Sequence, residues 1–214
     1  MHPVLRLYED VLANGAIMEL PPHPRMIFVT HGTIVPADRL LHDGEAWYGQ
    51  DRVALAAGRE GATVWRWELV PDGAADGAAH GPGIASREKI SARLETLPAG
   101  DLLWRGDTVA FPPGGCAYRH RHQGPGIRCL IDGGIRIDTH GGSTSYGPGG
   151  AWFESGPDPV FAQAAADRAT RFVRAMILPA VLLGKSSIEY LDAEDKAKPK
   201  SQQYRLLIDA PLAR

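Results

Sequence analysis

The sequence predicts an all-β chain of short strands joined by tight turns, and three observations carry that expectation. Glycine and proline number 25 and 17 of 214 residues, the composition of a chain that turns often. Apolar runs of a few residues recur along most of the length, each bounded by Gly, Pro or Asp-Gly. A Pro112-Pro113-Gly114-Gly115 turn leads into Arg119-His120-Arg121-His122. On a strand, side chains alternate faces, so both imidazoles point the same way.

The length allows one large β domain or two small ones, and a hydrophobic fraction of 44% allows a real core. Net charge is -2, with no basic patch, which argues against nucleic acid or an anionic membrane surface as partner. The start, Met1 to Arg6, lacks the apolar core of a signal peptide. No apolar stretch approaches the roughly 20 residues needed to span a bilayer. Cys116 and Cys129 are the two cysteines, neither a disulfide framework nor a zinc pattern. Two reduced thiols in a cytoplasmic protein are expected, with one bond between them as the alternative.

Taken in order, Val4, Leu5, Leu7, Tyr8, Val11 and Leu12 fall on a helical stripe that Gly15 stops, so a short N-terminal helix is expected over 4–14. Runs at 16–20, 25–30, 33–35, 46–48, 53–56 and 62–70 then read as a β meander, punctuated by Pro21-Pro22, Gly32, Asp43-Gly44 and Gly58. Within it, Trp65 and Trp67 share one face and Arg66 and Glu68 the other, which favours a core or subunit-interface tryptophan pair. Residues 73–83 are a Gly/Ala stretch that reads as a linker or surface loop. Residues 86–97 fit a helix through Ile90, Leu94 and Leu97 or a strand through Ile90, Ala92 and Leu94, with strand preferred. Strands are expected at 102–111, through the two histidines, and at 135–139, 151–154, 160–164, 171–178 and 204–208. Charged residues 189–200 should be exposed. The expected division is 1–72 for helix and meander, 73–85 for the linker and 86–214 for a C-terminal barrel.

From about residue 102 to 178 the chain resembles the cupin superfamily. Gly114, His120, His122 and Gly133 stand at that family's first-motif positions, with Gly126 where its glutamate belongs. Gly142, Pro148 and Gly150 match the second motif. Phe153 stands at its histidine position, Glu154 one residue beyond, and Asp158, with three residues between it and Glu154, in the asparagine role. The resemblance implies a jelly-roll β-barrel, preceded by a degenerate cupin-like half without the paired histidines, so that the chain is either a two-cupin chain or one barrel extended by N-terminal strands. Residues 120, 122, 126, 128 and 130 would then line the barrel interior on one face.

In that setting His120, His122 and Glu154 could form a two-histidine, one-carboxylate metal site. Iron is the first expectation, with Mn, Ni or Zn as alternatives; the other reading of Glu154 is a solvated loop carboxylate. Arg128 either holds Glu154 or clamps a substrate carboxylate. Tyr118 is a candidate acid or base, or a packed tyrosine, and Trp152 a candidate substrate contact. His23, His31, His42, His80 and His140 have no spaced partner and receive no ligand role. The function implied is metal-assisted chemistry, oxygenase or isomerase/lyase, on a small carboxylate-bearing molecule; the alternative is a non-catalytic binding or interaction protein. Strand edges in need of cover make a homodimer the expected assembly.

Overall fold

Residues Val4–Leu12 form a strand, β1, and not the helix that their apolar spacing suggested. β1 is hydrogen-bonded on both sides and buried on both faces. Such a strand loses the alternation that marks a half-buried one, and its apolar residues imitate a helical stripe. The structure is a computed structural model and describes residues 2–212.

The chain divides into two units, residues 1–95 and 96–212. In the first, β1 is followed by β2 (Ile17–Leu20), β3 (Arg25–Pro36), β4 (Ala46–Gly49), β5 (Val53–Val70) and β6 (Ile84–Arg93). They make one antiparallel sheet in the order β4-β3-β5-β1-β6, with β2 on β5. Four of the short runs expected from sequence merge in pairs into β3 and β5, because register shifts at Val29/His31 and Gly32/Ile34 let the turn formers sit inside paired strands as bulges. Strand β6 pairs with β1 along its length, so residues 84–93 belong to the first unit, not to the C-terminal barrel. The Gly/Ala stretch before it is tied down: Arg6 donates to the Ala74 carbonyl at 2.9 Å and Arg66 to that of Gly77 at 3.0 Å. It is a loop of the sheet and does not link two domains.

One face of this sheet packs an apolar cluster that includes Met18, Leu20, Ile27, Val29 and Val64. Along the same cross-strand rows lies a buried ionic cluster. Arg66 holds Asp10 at 2.7 Å and Glu68 at 2.9 Å, Arg25 holds Glu68 at 2.9 Å, and Tyr8 lies under the Arg66 guanidinium at 4.3 Å. Ser86 donates to Asp10. Trp65 and Trp67 are also buried, so both faces of this part of β5 are covered.

The second unit comprises β7 (Leu102–Phe111), β8 (Cys116–His122), β9 (Gly126–Asp132), β10 (Ile135–Thr139), β11 (Gly142–Tyr146), β12 (Ala151–Glu154), β13 (Val160–Ala164), β14 (Thr170–Pro179), β15 (Ile188–Tyr190), the one-turn helix α1 (Ala193–Ala197) and β16 (Gln203–Leu212). Two five-stranded sheets, β11-β10-β13-β8-β15 and β12-β9-β14-β7-β16, enclose a core that includes Phe111, Leu130, Ile137, Trp152 and Phe172. This is a jelly-roll arrangement. Strands β11 and β15 were not foreseen: Gly-Ser-Thr-Ser-Tyr has no apolar pattern, and β15 is three residues in a charged stretch. Gly133, at the end of β9, adopts φ +86, and a Cβ there would meet the Ala169 carbonyl at 2.4 Å, so the turn requires glycine. Among the described residues no helix is long and apolar enough to cross a membrane.

Candidate metal centre

His120 and His122 stand near the end of β8 in one sheet; Glu154 ends β12 in the other. Their potential ligand atoms all lie within 4.8 Å of one another, and all three residues are buried. The site therefore sits between the two sheets. Gln123, Gly124 and Pro125 carry the chain from one sheet to the other, so the face expected to run unbroken from 120 to 130 is split between β8 and β9.

A bulge in β8 sets the histidine geometry. Val160 of β13 pairs with His120 and Ala162 with Ala117, so three steps on β8 match two on β13. The extra residue shifts the alternation: Ala117, His120 and His122 line the cavity, and Tyr118 does not. Tyr118 is half-buried on the outside, beneath Lys198 and Lys200 at 5.0 and 5.4 Å, and the structure does not place it where a catalytic acid or base would stand. Its backbone matters instead. The Tyr118 carbonyl lies 2.7 Å from His120 Nδ1; a carbonyl only accepts, so Nδ1 carries the proton and Nε2 keeps its lone pair.

Glu154 is placed by pairing. It lies directly across from Gly126, the position where the first motif would carry its glutamate, so the carboxylate comes from the neighbouring strand. A side chain at 126 would meet the Ala175 carbonyl at 2.4 Å and Met176 Cγ at 2.7 Å; that space is already filled. Phe153 stays outside the cavity and Glu154 enters it. Trp152 donates from Nε1 to Glu154 Oε1 at 2.9 Å, which makes it a holder of the carboxylate. Glu154 Oε2 is 2.7 Å from Arg128 Nη2 and 3.7 Å from His122 Nε2. Asp158 bonds Ser155 outside the cavity.

Arg128 is fully buried and pairs with Glu154, donating also to the Gly126 carbonyl at 2.7 Å. Two further residues at the site escaped the sequence reading, Arg174 and Asp107. Arg128 faces Arg174 across β9 and β14, and Arg174 faces Asp107 across β14 and β7. Arg174 grips Asp107 through Nε at 2.7 Å and Nη2 at 3.1 Å, leaving Nη1 3.4 Å from His122 Nε2. Their signal was the one that marked Arg128: a charge inside an apolar strand, which needs an inward partner.

Burial pushes the His120 proton affinity down, with the Glu154 charge opposing. For His122 burial acts more strongly, joined by the charges of Arg174 and Arg128. Both rings are therefore neutral near neutral pH, the form that ligates. Burial pushes Arg128 down to about 10, Glu154 opposing. For Arg174 burial also works against the charge, but Asp107 outweighs it and raises the group.

The cavity between these residues measures about 20 Å³, room for about one water or ion and no organic molecule. A cleft of about 250 Å³, lined among others by Asp107, Lys185, Ser186 and Ser187, opens over it, and Arg174, Ile188 and Tyr204 line both. A second cleft, of about 350 Å³, reaches His122 past Pro98 and Gly124.

No protein-family model and no curated protein sequence matches the chain. Solved structures do match its fold. A cupin 2 conserved barrel domain protein from Leptotrichia buccalis aligns at 11% identity over 82% of this chain and 84% of that one, with TM-score 0.49. AerE from Microcystis aeruginosa aligns at 12% identity over 84% and 89%, with TM-score 0.59. A deletion mutant of oxalate decarboxylase OxdC from Bacillus subtilis aligns at 13% identity over 80% and 68%, also with TM-score 0.59. The facing sheets, their strand order and the matches to AerE and oxalate decarboxylase together give the chain the cupin-type β-barrel fold.

Proposed function

We propose that the C-terminal barrel binds a divalent metal through His120, His122 and Glu154 and presents it to a small carboxylate-bearing molecule. The observation that carries this reading is the trio itself: three ligand atoms, two imidazole nitrogens and a carboxylate oxygen, within 4.8 Å of one another in a buried cavity. Two neutral imidazoles and one carboxylate suit Fe, Mn, Ni or Zn. The Bacillus subtilis oxalate decarboxylase of like fold has Mn(II) centres, which supports manganese beside iron. A metal bound here would act as a Lewis acid on substrate oxygens. This chain's own residues do the rest. The Tyr118 carbonyl fixes the His120 tautomer, Trp152 orients Glu154, and Asp107 holds the Arg174 guanidinium at the foot of the cleft. Oxygenase and isomerase or lyase chemistry both fit this frame. A binding role without turnover is favoured by one feature, an inner cavity that admits an ion and not a substrate.

Glu154→Gln tests the ligand set. The amide keeps the size but loses the charge, so metal affinity should fall by tenfold or more in a calorimetric titration. Unchanged affinity would remove Glu154 from the site.

We also propose a homodimer in a reducing compartment, which suits the free Cys116 and Cys129. Trp65 and Trp67 do not support the interface, being buried. The edge strand β16 does, exposing Tyr204 and Leu206 at 48% and 56% beside unpaired backbone groups. Light scattering should give twice the chain mass; a monomer at high concentration would contradict the assembly.

A further inference from the structure

Charge in the cavity constrains what can enter with the metal. His120, His122, Glu154, Arg128, Asp107 and Arg174 are each at most 8% exposed. Two carboxylates balance two guanidiniums, and the neutral histidines add nothing. A divalent cation would leave two uncompensated positive charges among side chains at most 8% exposed, a costly state. It would also share Glu154 with Arg128, weakening the 2.7 Å ion pair that holds that guanidinium. The missing negative charge must come from outside the protein.

The cleft over Arg174 can receive it. Arg174 lines both the cavity and the 250 Å³ cleft. Asp107 occupies its Nε and Nη2, while Nη1 has only the His122 ring nitrogen, at a long 3.4 Å. Ser186, Ser187 and Lys185 line the wall above, and the volume suits a molecule of a few heavy atoms. We infer that the barrel takes up its metal together with a small dianion, seated against Arg174 at the foot of this cleft, and that each tightens the binding of the other. This rests on the metal site proposed above. The ligand chemistry is two negative charges on a compact molecule, which a short dicarboxylate or an inorganic dianion supplies. Reciprocity is required: the factor by which the dianion strengthens metal binding equals the factor by which metal strengthens dianion binding.

The test is calorimetric titration of Mn²⁺ into chelator-treated full-length protein, alone and with saturating malonate, sulfate or acetate. The metal–malonate complex formed in free solution is subtracted with the same titration into His120→Ala/His122→Ala protein. Malonate or sulfate should tighten the metal roughly tenfold or more, and acetate by less. A larger effect of malonate assigns a dicarboxylate, and an equal or larger effect of sulfate assigns an inorganic dianion. In Arg174→Lys, which keeps a cation for Asp107 but loses the Nη1 group, most of the enhancement should disappear; full retention would overturn the seat at Arg174. Metal affinity equal with and without dianions would overturn the coupling and leave the metal site standing. Failure of the metal to bind under every condition would overturn both.

Discussion

Alanine at both His120 and His122 should abolish stoichiometric metal binding and leave the barrel folded. In the proposed site the two rings supply two of three ligands, and a lone carboxylate paired to Arg128 would give a metal little affinity. The fold survives because the rings contribute few bonds. The His120 ring makes one hydrogen bond, to the Tyr118 carbonyl at 2.7 Å, and the polar contacts of the His122 ring are 3.4 Å or longer. The surrounding apolar core of Phe111, Leu130, Ile137 and Phe172 is untouched. Calorimetric titration checks the metal and circular dichroism the β content. A double variant that still binds one equivalent would place the metal elsewhere.

The second large effect lies in the other unit. Arg66→Met leaves Asp10 and Glu68 buried beneath a side chain that cannot pair with them, and should cost about 3–5 kcal/mol. Burial alone would lower the Arg66 proton affinity; the two carboxylates outweigh it and raise the group, which is the mark of a cation held by its partners. Adding Asp10→Leu should return part of the loss, since removing both charges costs less than stranding one. Urea unfolding measures both. A loss under about 1 kcal/mol for Arg66→Met would mean that the cluster behaves as an exposed pair does.

How far the sequence shows all this depends on how local each signal is. The paired histidines are legible because a period of two acts over three residues, and strands 102–111, 135–139, 151–154 and 160–164 appear at their expected bounds. Tyr118 was misplaced because the bulge at Tyr118-Arg119 is fixed by pairing to β13, far along the chain. The N-terminal helix failed for a related reason: a strand covered on both faces has no alternation to read. Glu154 came from a motif position off by one, and only the pairing of β12 with β9 brings it opposite Gly126. Arg174 and Asp107 are 67 residues apart. Each is visible as a charge in an apolar strand, but nothing local joins them to each other or to the histidines.

The most direct measurement of the central claim is the metal content of the protein, purified without a histidine tag or chelator and analysed by elemental analysis. The geometry of His120, His122 and Glu154 predicts about one divalent transition metal per chain, Fe or Mn foremost among them. Protein that carries none, and takes up none when dialysed against Fe²⁺, Mn²⁺, Ni²⁺ and Zn²⁺ in turn, would contradict it: the cluster would then be a buried ionic network, with Arg128 as the resident cation of Glu154.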